Sequence, residues 1–397
     1  MLGVSLRGQA GVAGHDLNPP PSSSEILDKR LERRNQRDTL GHMTRLHTRS
    51  HVAVKYCGLP LPSEDDGEGV EVRITRDDAG DSHAFFHRLQ HCGSPYICPD
   101  CAAWLAVRRS KEISQAAAKW VAKKGGQLVF ATFTLQHRWG QPLAELLRQM
   151  GKAWQYMTST RKWKTRVDYV GFVRSLEITL GPNGWHPHYH VLLFFEGGVD
   201  IPSANEIYDL WAAAVAREGG NTVEDAFSWQ VVSPADVQEV GKYIAKWGPG
   251  QEVAGGAFKD SSSGLTPWEV LELAGLQAGL ISKGELGHLV QHAKSLGLPQ
   301  GIDWLRLWDE YTWAVRGLRS IYSTPKLRER LELKTDEELM EQGAEDSELV
   351  GVLPLRDYYR LWSAHLRHAF LGAVEVYGWD AGLVVLNFAP ALGPPFS

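Results

Sequence analysis

The sequence predicts an α+β protein: a central antiparallel sheet with flanking helices, a cysteine-containing region before it and a mainly helical region after it. Three observations lead there. Residues 174–195, "RSLEITLGPNGWHPHYHVLLFF", read as two strands around "GPNG", four residues able to reverse the chain. "QLVFATFTLQ" upstream reads as another strand, rich in β-branched and aromatic residues. Around these strands run long helical patterns such as "CAAWLAVRRSKEISQAAAKWVAKK" and "PLAELLRQMGKAWQYMTS".

In chain order, residues 1–48 are rich in Gly, Pro, Ser and charge, with one short helical candidate, "SSSEILDKRLERRNQR"; a loosely attached segment is expected. Residues 49–122 hold all four cysteines and close on the first long helix. Residues 123–260 mix strands and helices, including "NEIYDLWAAAVAREG". Residues 261–397 are predominantly helical: in "TPWEVLELAG" Thr266 and Glu269 can form a capping box with Pro267 at the first helical position. "GIDWLRLWDEYTWAVRG" and "PLRDYYRLWSAHLRHAFLGAVEVYG" follow, and no fixed-period repeat is visible.

At 397 residues and 43% hydrophobic content, the chain can bury a large core divided between two or more domains. No run approaches 18 uncharged apolar residues and the N-terminus has no signal-like apolar core, so no membrane partner and a cytoplasmic location are expected. Where thiols stay reduced, four cysteines read as ligands or buried thiols rather than disulfides.

The net charge of -5 conceals a separation. Residues 101–170 carry 13 Lys or Arg against three Asp or Glu, whereas 336–348 carry seven acidic residues and no basic one. The basic part can attract phosphate although the whole chain is acidic. Within it, Arg108, Arg109 and Lys111 on the first long helix and Arg161, Lys162, Lys164 and Arg166 around Trp163 are candidate DNA contacts. Trp163 is either a stacking platform or a core residue.

The histidine strand carries the sharpest chemistry. Period-two geometry points His186, His188 and His190 to one side and Pro187, Tyr189 and Val191 to the other. With Gly181 to Gly184 as the loop, Leu180 faces Trp185 and Glu177 faces His188, so a carboxylate stands beside the imidazoles. A slip of one residue would turn Glu177 away. Pro187 has no ladder donor, which should leave one side of the strand locally unpaired. A second candidate group is "SPADVQEVGKYIAKWGPG". Ser233 can cap it, Pro234 suits the first turn, Asp236 completes the box and Gly248 can end the helix. Glu239 and Tyr243 are one turn apart, and Lys246 lies three residues on. A nucleophile, a proton-handling carboxylate and a cation are what phosphoryl transfer requires.

Taken together, His188-Tyr189-His190, the apolar run after it and "EVGKYIAKW" resemble the rolling-circle replication initiators of small bacterial plasmids, in the single-tyrosine branch of the HUH endonucleases. "FATFTLQH", Phe130 to His137, resembles the first conserved strand of that family, and the resemblance spans roughly residues 85–260. It implies an HUH nicking and joining domain with His188, His190 and Glu177 as ligands for Mg²⁺ or Mn²⁺ and Tyr243 as nucleophile. Glu239 would activate water in the terminating cleavage, and Lys246 would assist. The implied substrate is plasmid origin DNA, single-stranded or as an extruded hairpin, with a 5'-phosphotyrosine and a 3'-hydroxyl primer as products. A host helicase and the replication machinery are implied partners. His186 stands outside the two-histidine core, as an accessory metal ligand or a DNA contact.

"HCGSPYICPDCAAW" places Cys92, Cys98 and Cys101 within ten residues, the last two at CxxC spacing. With Cys57 as fourth ligand, or His87 or His91 in its place, they can hold structural Zn²⁺ and stiffen the start of the basic helix; buried thiols are the alternative. Two other functions suit the same residues. A mobilisation relaxase or single-strand transposase would share the HUH chemistry, and a zinc-containing DNA-binding protein would use the histidine strand structurally.

Overall fold

The computed structural model describes residues 39–61, 69–76, 82–237, 240–244, 264–281, 286–341 and 347–391. Helix α1 covers 39–47, followed by strands β1 (Val70–Arg76) and β2 (Ser82–His87) and the long helix α2 (Pro99–Lys124). Strand β3 (Gln127–Thr134) leads to α3 (Leu143–Ser159) and α4 (Arg161–Arg166), then to the hairpin β4 (Gly171–Gly181) and β5 (Gly184–Phe195). Helix α5 (Ala204–Arg217), β6 (Ser228–Val231) and α6 (Val240–Ile244) follow. Then come α7 (Pro267–Gln277), α8 (Gly287–Ser295), α9 (Trp304–Ala314), β7 (Ile321–Ser323), α10 (Pro325–Leu331) and α11 (Asp336–Glu341). The chain closes with β8 (Glu348–Leu353), α12 (Leu355–Ser363), α13 (Arg367–Tyr377) and α14 (Trp379–Phe388).

The strands form two antiparallel sheets, a five-stranded one in the order β6-β3-β5-β4-β7 and a three-stranded one in the order β2-β1-β8. The expected α+β class is therefore what the chain adopts. Its C-terminal part is mainly helical, as expected, but also supplies the edge strand β7 and the strand β8. Thr266 and Glu269 make the expected capping box at the start of α7, with Pro267 in the first turn.

The large sheet is covered on both faces, which explains the unbroken apolar run Val191 to Phe195: all five residues are buried. On one face α2 lies across the sheet, with Trp120 packed edge-on against Phe194 and its indole N–H donating to the Phe195 carbonyl at 2.9 Å. On the other, Phe133 is ringed by Trp154 of α3 and Trp211 of α5. The small sheet has its own core, in which Val70, Val72 and Phe86 meet Tyr358, Phe370 and Val374 of the C-terminal helices. Asp100, in the first turn of α2, lies 2.9 Å from His368 Nε2 and ties those helices to the large sheet's main helix. Helix α1 differs from the expected loose segment: Leu40 and Met43 belong to the main core, because their apolar side chains pack into it. Residues 1–38, including the short helical candidate, lie outside the described residues.

Helix α6 reaches the sheet by crossing α2 at a glycine. Gly241 N–H donates to Ser114 Oγ at 3.2 Å, and a Cβ at Gly241 would sit 1.9 Å from the Ser110 carbonyl oxygen. Gly151 in α3 is the contrast, because a Cβ there meets only Tyr189 Oη at 3.8 Å. Helix propensity alone favours alanine over glycine by about 1 kcal/mol at either position. Gly151→Ala should therefore raise the unfolding free energy by about that amount. Gly241→Ala should instead lower it by about 1–3 kcal/mol, because overpacking against backbone outweighs propensity. Urea unfolding of the two variants checks the opposite signs.

Candidate metal centre and tyrosine helix

The β4–β5 hairpin sets the site. Gly181 pairs with Gly184, so the reversal is made by Pro182 and Asn183, tighter than a four-residue loop but in the expected register. Gly184 has φ +93°, a conformation that costs glycine little and other residues more. Leu180 faces Trp185 and Glu177 faces His188, as read from the sequence. Glu177 Oε2 lies 2.7 Å from His188 Nε2 and 2.5 Å from His190 Nε2. One ligand atom from each of the three residues falls within 4.8 Å of the others, so they form one candidate metal-binding group.

The imidazoles are held from behind. His190 Nδ1 is 3.3 Å from Thr132 Oγ1, and the ring of Phe130 stacks on His190 at 5.5 Å. His188 Nδ1 is 3.4 Å from the His186 carbonyl oxygen. Each histidine thus turns Nε2 toward Glu177 and uses its other nitrogen for orientation, as metal-ligating histidines commonly do. Thr132 was legible in "FATFTLQH" but its role was not, because it depends on the β3–β5 register that pairs it with His190. Burial opposes ionisation of Glu177, yet the His188 and His190 side chains outweigh it and hold the carboxyl well below the usual carboxylate range. A carboxylate and two imidazoles offer three donors and leave the other coordination positions to substrate and water.

His186 lies outside this group. Its ring stacks on His137 at 4.7 Å and meets His188 at 5.1 Å. Burial first, then the neighbouring His188 and His137, push its pKa down to about 3, so it is neutral at ordinary pH and unsuited to a charged DNA contact. The β3 ladder ends at the Thr134–His188 pair while Pro187 still faces Ile178 of β4, so the strand is open on its β3 side at the proline.

Helix α6 packs against α2 and β5. That puts the backbone of Tyr243 on the α2 side of the sheet. Phe194, which meets Trp120 of α2, shares its strand face with His188 and His190, so this is also the metal-ligand side. Val240 and Ile244 are buried and anchor the helix. The Tyr243 side chain, Glu239, Lys246 and Gly248 lie outside what the structure describes. Ser233 does not begin one continuous helix: its hydroxyl donates to Asp236 at 2.6 Å and residues 234–236 form a turn.

The family model described as "Replication protein" matches residues 83–248, which include Glu177, the histidine strand and Tyr243. This segment is similar to that family. A "Protein rep" from Streptomyces lividans is 28% identical over 62% of this chain and 64% of its own length. A "Protein rep" from Lentilactobacillus hilgardii is 31% identical over 35% and 43%, and a "Neomycin resistance protein" from Streptomyces cyanogenus 27% over 28% and 31%. The chain thus spans less than two thirds of the length of these curated relatives. No solved structure matches it.

The matched segment supplies three of four clustered thiols. Cys57 Sγ lies 3.4 Å from Cys98 Sγ and 3.5 Å from Cys101 Sγ, and Cys92 Sγ lies 3.8 Å from Cys101 Sγ. All four are free cysteines, and together they form the second candidate metal-binding group among the described residues. His87 and His91 stand outside it. The Cys57 contact, then Cys92, Cys98 and burial, hold the Cys101 thiol well above its usual value.

The predicted DNA contacts divide. Arg161, Lys162, Lys164 and Arg166 of the matched segment are exposed on α4, with Arg166 3.6 Å from Glu206. Trp163 between them is fully buried against Trp154 and Tyr169, so it is a core residue and no stacking platform. Lys111 is exposed, and the half-buried Arg108 lies over the Trp104 ring at 4.1 Å. Arg109 is the correction: it is 1% exposed and faces inward. Its guanidinium donates to Asp336 Oδ1 at 2.7 Å and to Glu112, closing a buried network to which Ser320 N–H also donates. Sequence spacing could not reveal this, since Asp336 is 227 positions away. Arg109→Ala leaves two carboxylates uncompensated and should lower the unfolding free energy by about 3–5 kcal/mol. Chemical denaturation tests it; unchanged stability with weakened DNA binding would return Arg109 to the DNA surface.

Proposed function

We propose that this chain initiates plasmid replication by nicking and rejoining one strand of origin DNA, presented as a single strand or an extruded hairpin. The observation that carries the reading is the convergence of Glu177, His188 and His190 on the sheet side against which the tyrosine helix packs. The family match over residues 83–248 supports it from an independent direction. The nicking unit is drawn at residues 123–260, framed by the cysteine region 49–122 and the helical region 261–397. A host helicase is the expected partner after the nick.

The carboxylate and two imidazoles fit a divalent cation with open positions, Mg²⁺ or Mn²⁺ in the cell. When bound there, such an ion would polarise the scissile phosphate and neutralise developing charge. Tyr243 Oη attacks phosphorus, forming the Tyr–O–P bond while the P–O3' bond breaks; the 3'-oxygen leaves and takes a proton to become a free hydroxyl. The 5' end stays on Tyr243 until Glu239 activates water or a returning 3'-hydroxyl reseals the strand. Lys246 orients the phosphate and favours the phenolate.

The four thiols fit structural Zn²⁺, because a tetrahedral site with Zn–S near 2.3 Å has sulfur pairs about 3.8 Å apart. Bound zinc would hold them as thiolates and brace the start of α2. Protein purified without chelator should contain about one zinc per chain, and Cys101→Ser should lose it along with thermal stability. Zinc-free wild-type protein with unchanged melting would remove the proposal.

The decisive assay uses 5'- and 3'-labelled origin strands with Mn²⁺ or Mg²⁺ and denaturing electrophoresis. Wild type should link covalently to the downstream fragment. Tyr243→Phe should form no adduct, and His190→Ala should lose cleavage by at least about 100-fold while remaining folded. Glu239→Ala should still make the first nick but release product slowly. An adduct mapped to Tyr189 or another tyrosine would displace Tyr243 while preserving the enzyme class.

A further inference from the structure

Strand β3 reaches one ring of the metal centre from two positions. Phe130 and Thr132 are two residues apart on an extended strand, so their side chains share the sheet face that carries His188 and His190. Phe130 stacks on the His190 ring with 18° between the planes. Thr132, the direct register partner of His190, brings Oγ1 to 3.3 Å from its Nδ1. The ring is thus fixed by its face and by its edge. β3 is an interior strand, paired with β5 on one side and β6 on the other, and Thr132 is in register with Ser228 of β6 as well as with His190. Branching at Cβ restricts χ1 of a threonine, so the hydroxyl has little freedom to leave the ring.

The two imidazoles differ in what stands behind them. Behind His188 is the His186 carbonyl oxygen, 3.4 Å from Nδ1, and a carbonyl only accepts. Behind His190 is a hydroxyl, which both accepts and donates. A cation at Nε2 takes the lone pair of that nitrogen, so the one proton of the neutral ring must then sit on Nδ1, where it needs an acceptor. Thr132 Oγ1 supplies it. When Nε2 instead carries the proton toward Glu177 Oε2, 2.5 Å away, the same hydroxyl turns and donates to Nδ1. His190 is only 6% exposed, so water has little access to replace that partner.

We propose that Thr132 is a positioning residue of the metal centre: its hydroxyl holds His190 with Nε2 presented to the divalent cation, and the affinity of the site for that cation depends on it. This role rests on the divalent-cation reading of Glu177, His188 and His190 above. It makes β3 part of the site although β3 supplies no ligand. The partner of His188 is backbone and survives any side-chain replacement at position 186, so His190 is the imidazole whose orientation a side chain tunes.

The test is a Mn²⁺ titration of the full chain without DNA, followed by the electron paramagnetic resonance signal of free Mn²⁺. Thr132→Val keeps the size and the Cβ branch and removes only the hydroxyl; it should weaken Mn²⁺ binding about 10- to 100-fold. Thr132→Ser, which returns the hydroxyl, should recover most of the affinity, and both variants should melt with the wild type in the absence of the cation. If valine disturbs folding, Thr132→Ala removes the same hydroxyl and carries the same expectation. Wild-type affinity in the folded variant without the hydroxyl would overturn the role of Thr132 and leave the metal centre and the nicking reading intact. Equal losses in the valine and serine variants would overturn it too, since packing and not the hydrogen bond would then be responsible. Wild-type protein that binds no Mn²⁺, or binds it no better than His190→Ala, would remove the metal reading and this role with it.

Discussion

The register of one hairpin governs the candidate chemistry. Gly181 and Gly184 close a two-residue reversal around Pro182 and Asn183, and from that closure the ladder runs without a slip to Glu177 opposite His188. Side chains alternate across a strand, so a shift of one position would send the carboxylate to the opposite layer and leave the imidazoles without it. Leu180, Trp185, Ile178 and Tyr189 are all buried on the layer opposite the ligands, so any slip would expose them and bury polar groups. The hydrophobic core therefore enforces the ligand geometry, although no core residue touches the ligand atoms.

The two faces of the large sheet have separate duties. The side covered by α3 and α5 is aromatic and tightly packed, with Phe133 in edge-on contact with two tryptophans. The side covered by α2 and α6 combines apolar packing near Phe194 with the polar group at Glu177. This division lets a polar site exist within a buried sheet: Thr132 and the His186 carbonyl serve the ring nitrogens turned away from Glu177, so few buried polar atoms are left without partners.

Helix α2 joins the parts of the molecule. Its N-terminal turn holds Cys101 and Asp100, its middle holds Arg109 and the crossing with Gly241, and its end packs Trp120 on the sheet. The basic residues of its middle, which look alike in sequence, separate by helical phase. Arg109 faces inward to Glu112 and Asp336, Lys111 faces solvent, and Arg108 lies over Trp104. The guanidinium is buried only because two carboxylates and Ser320 meet it there.

What the sequence determined by itself was local. The alternation of His186, His188 and His190, the turn residues that set their register, the capping box at Thr266 and the CxxC spacing all follow from interactions within a few residues or one hairpin. From these, the α+β class and the Glu177–His188–His190 group were legible. Only the tertiary structure decided that Cys57 rather than a histidine completes the thiol group, and that Trp163 belongs to the core. It also decided that Arg109 is a structural ion, and that β7 from the C-terminal part closes the edge of the large sheet beside β4. The physical reason is common to all four. Each depends on groups tens to hundreds of residues apart meeting in a close-packed interior, where burial and pairing decide what a side chain can do, and residue type and spacing alone do not specify those meetings.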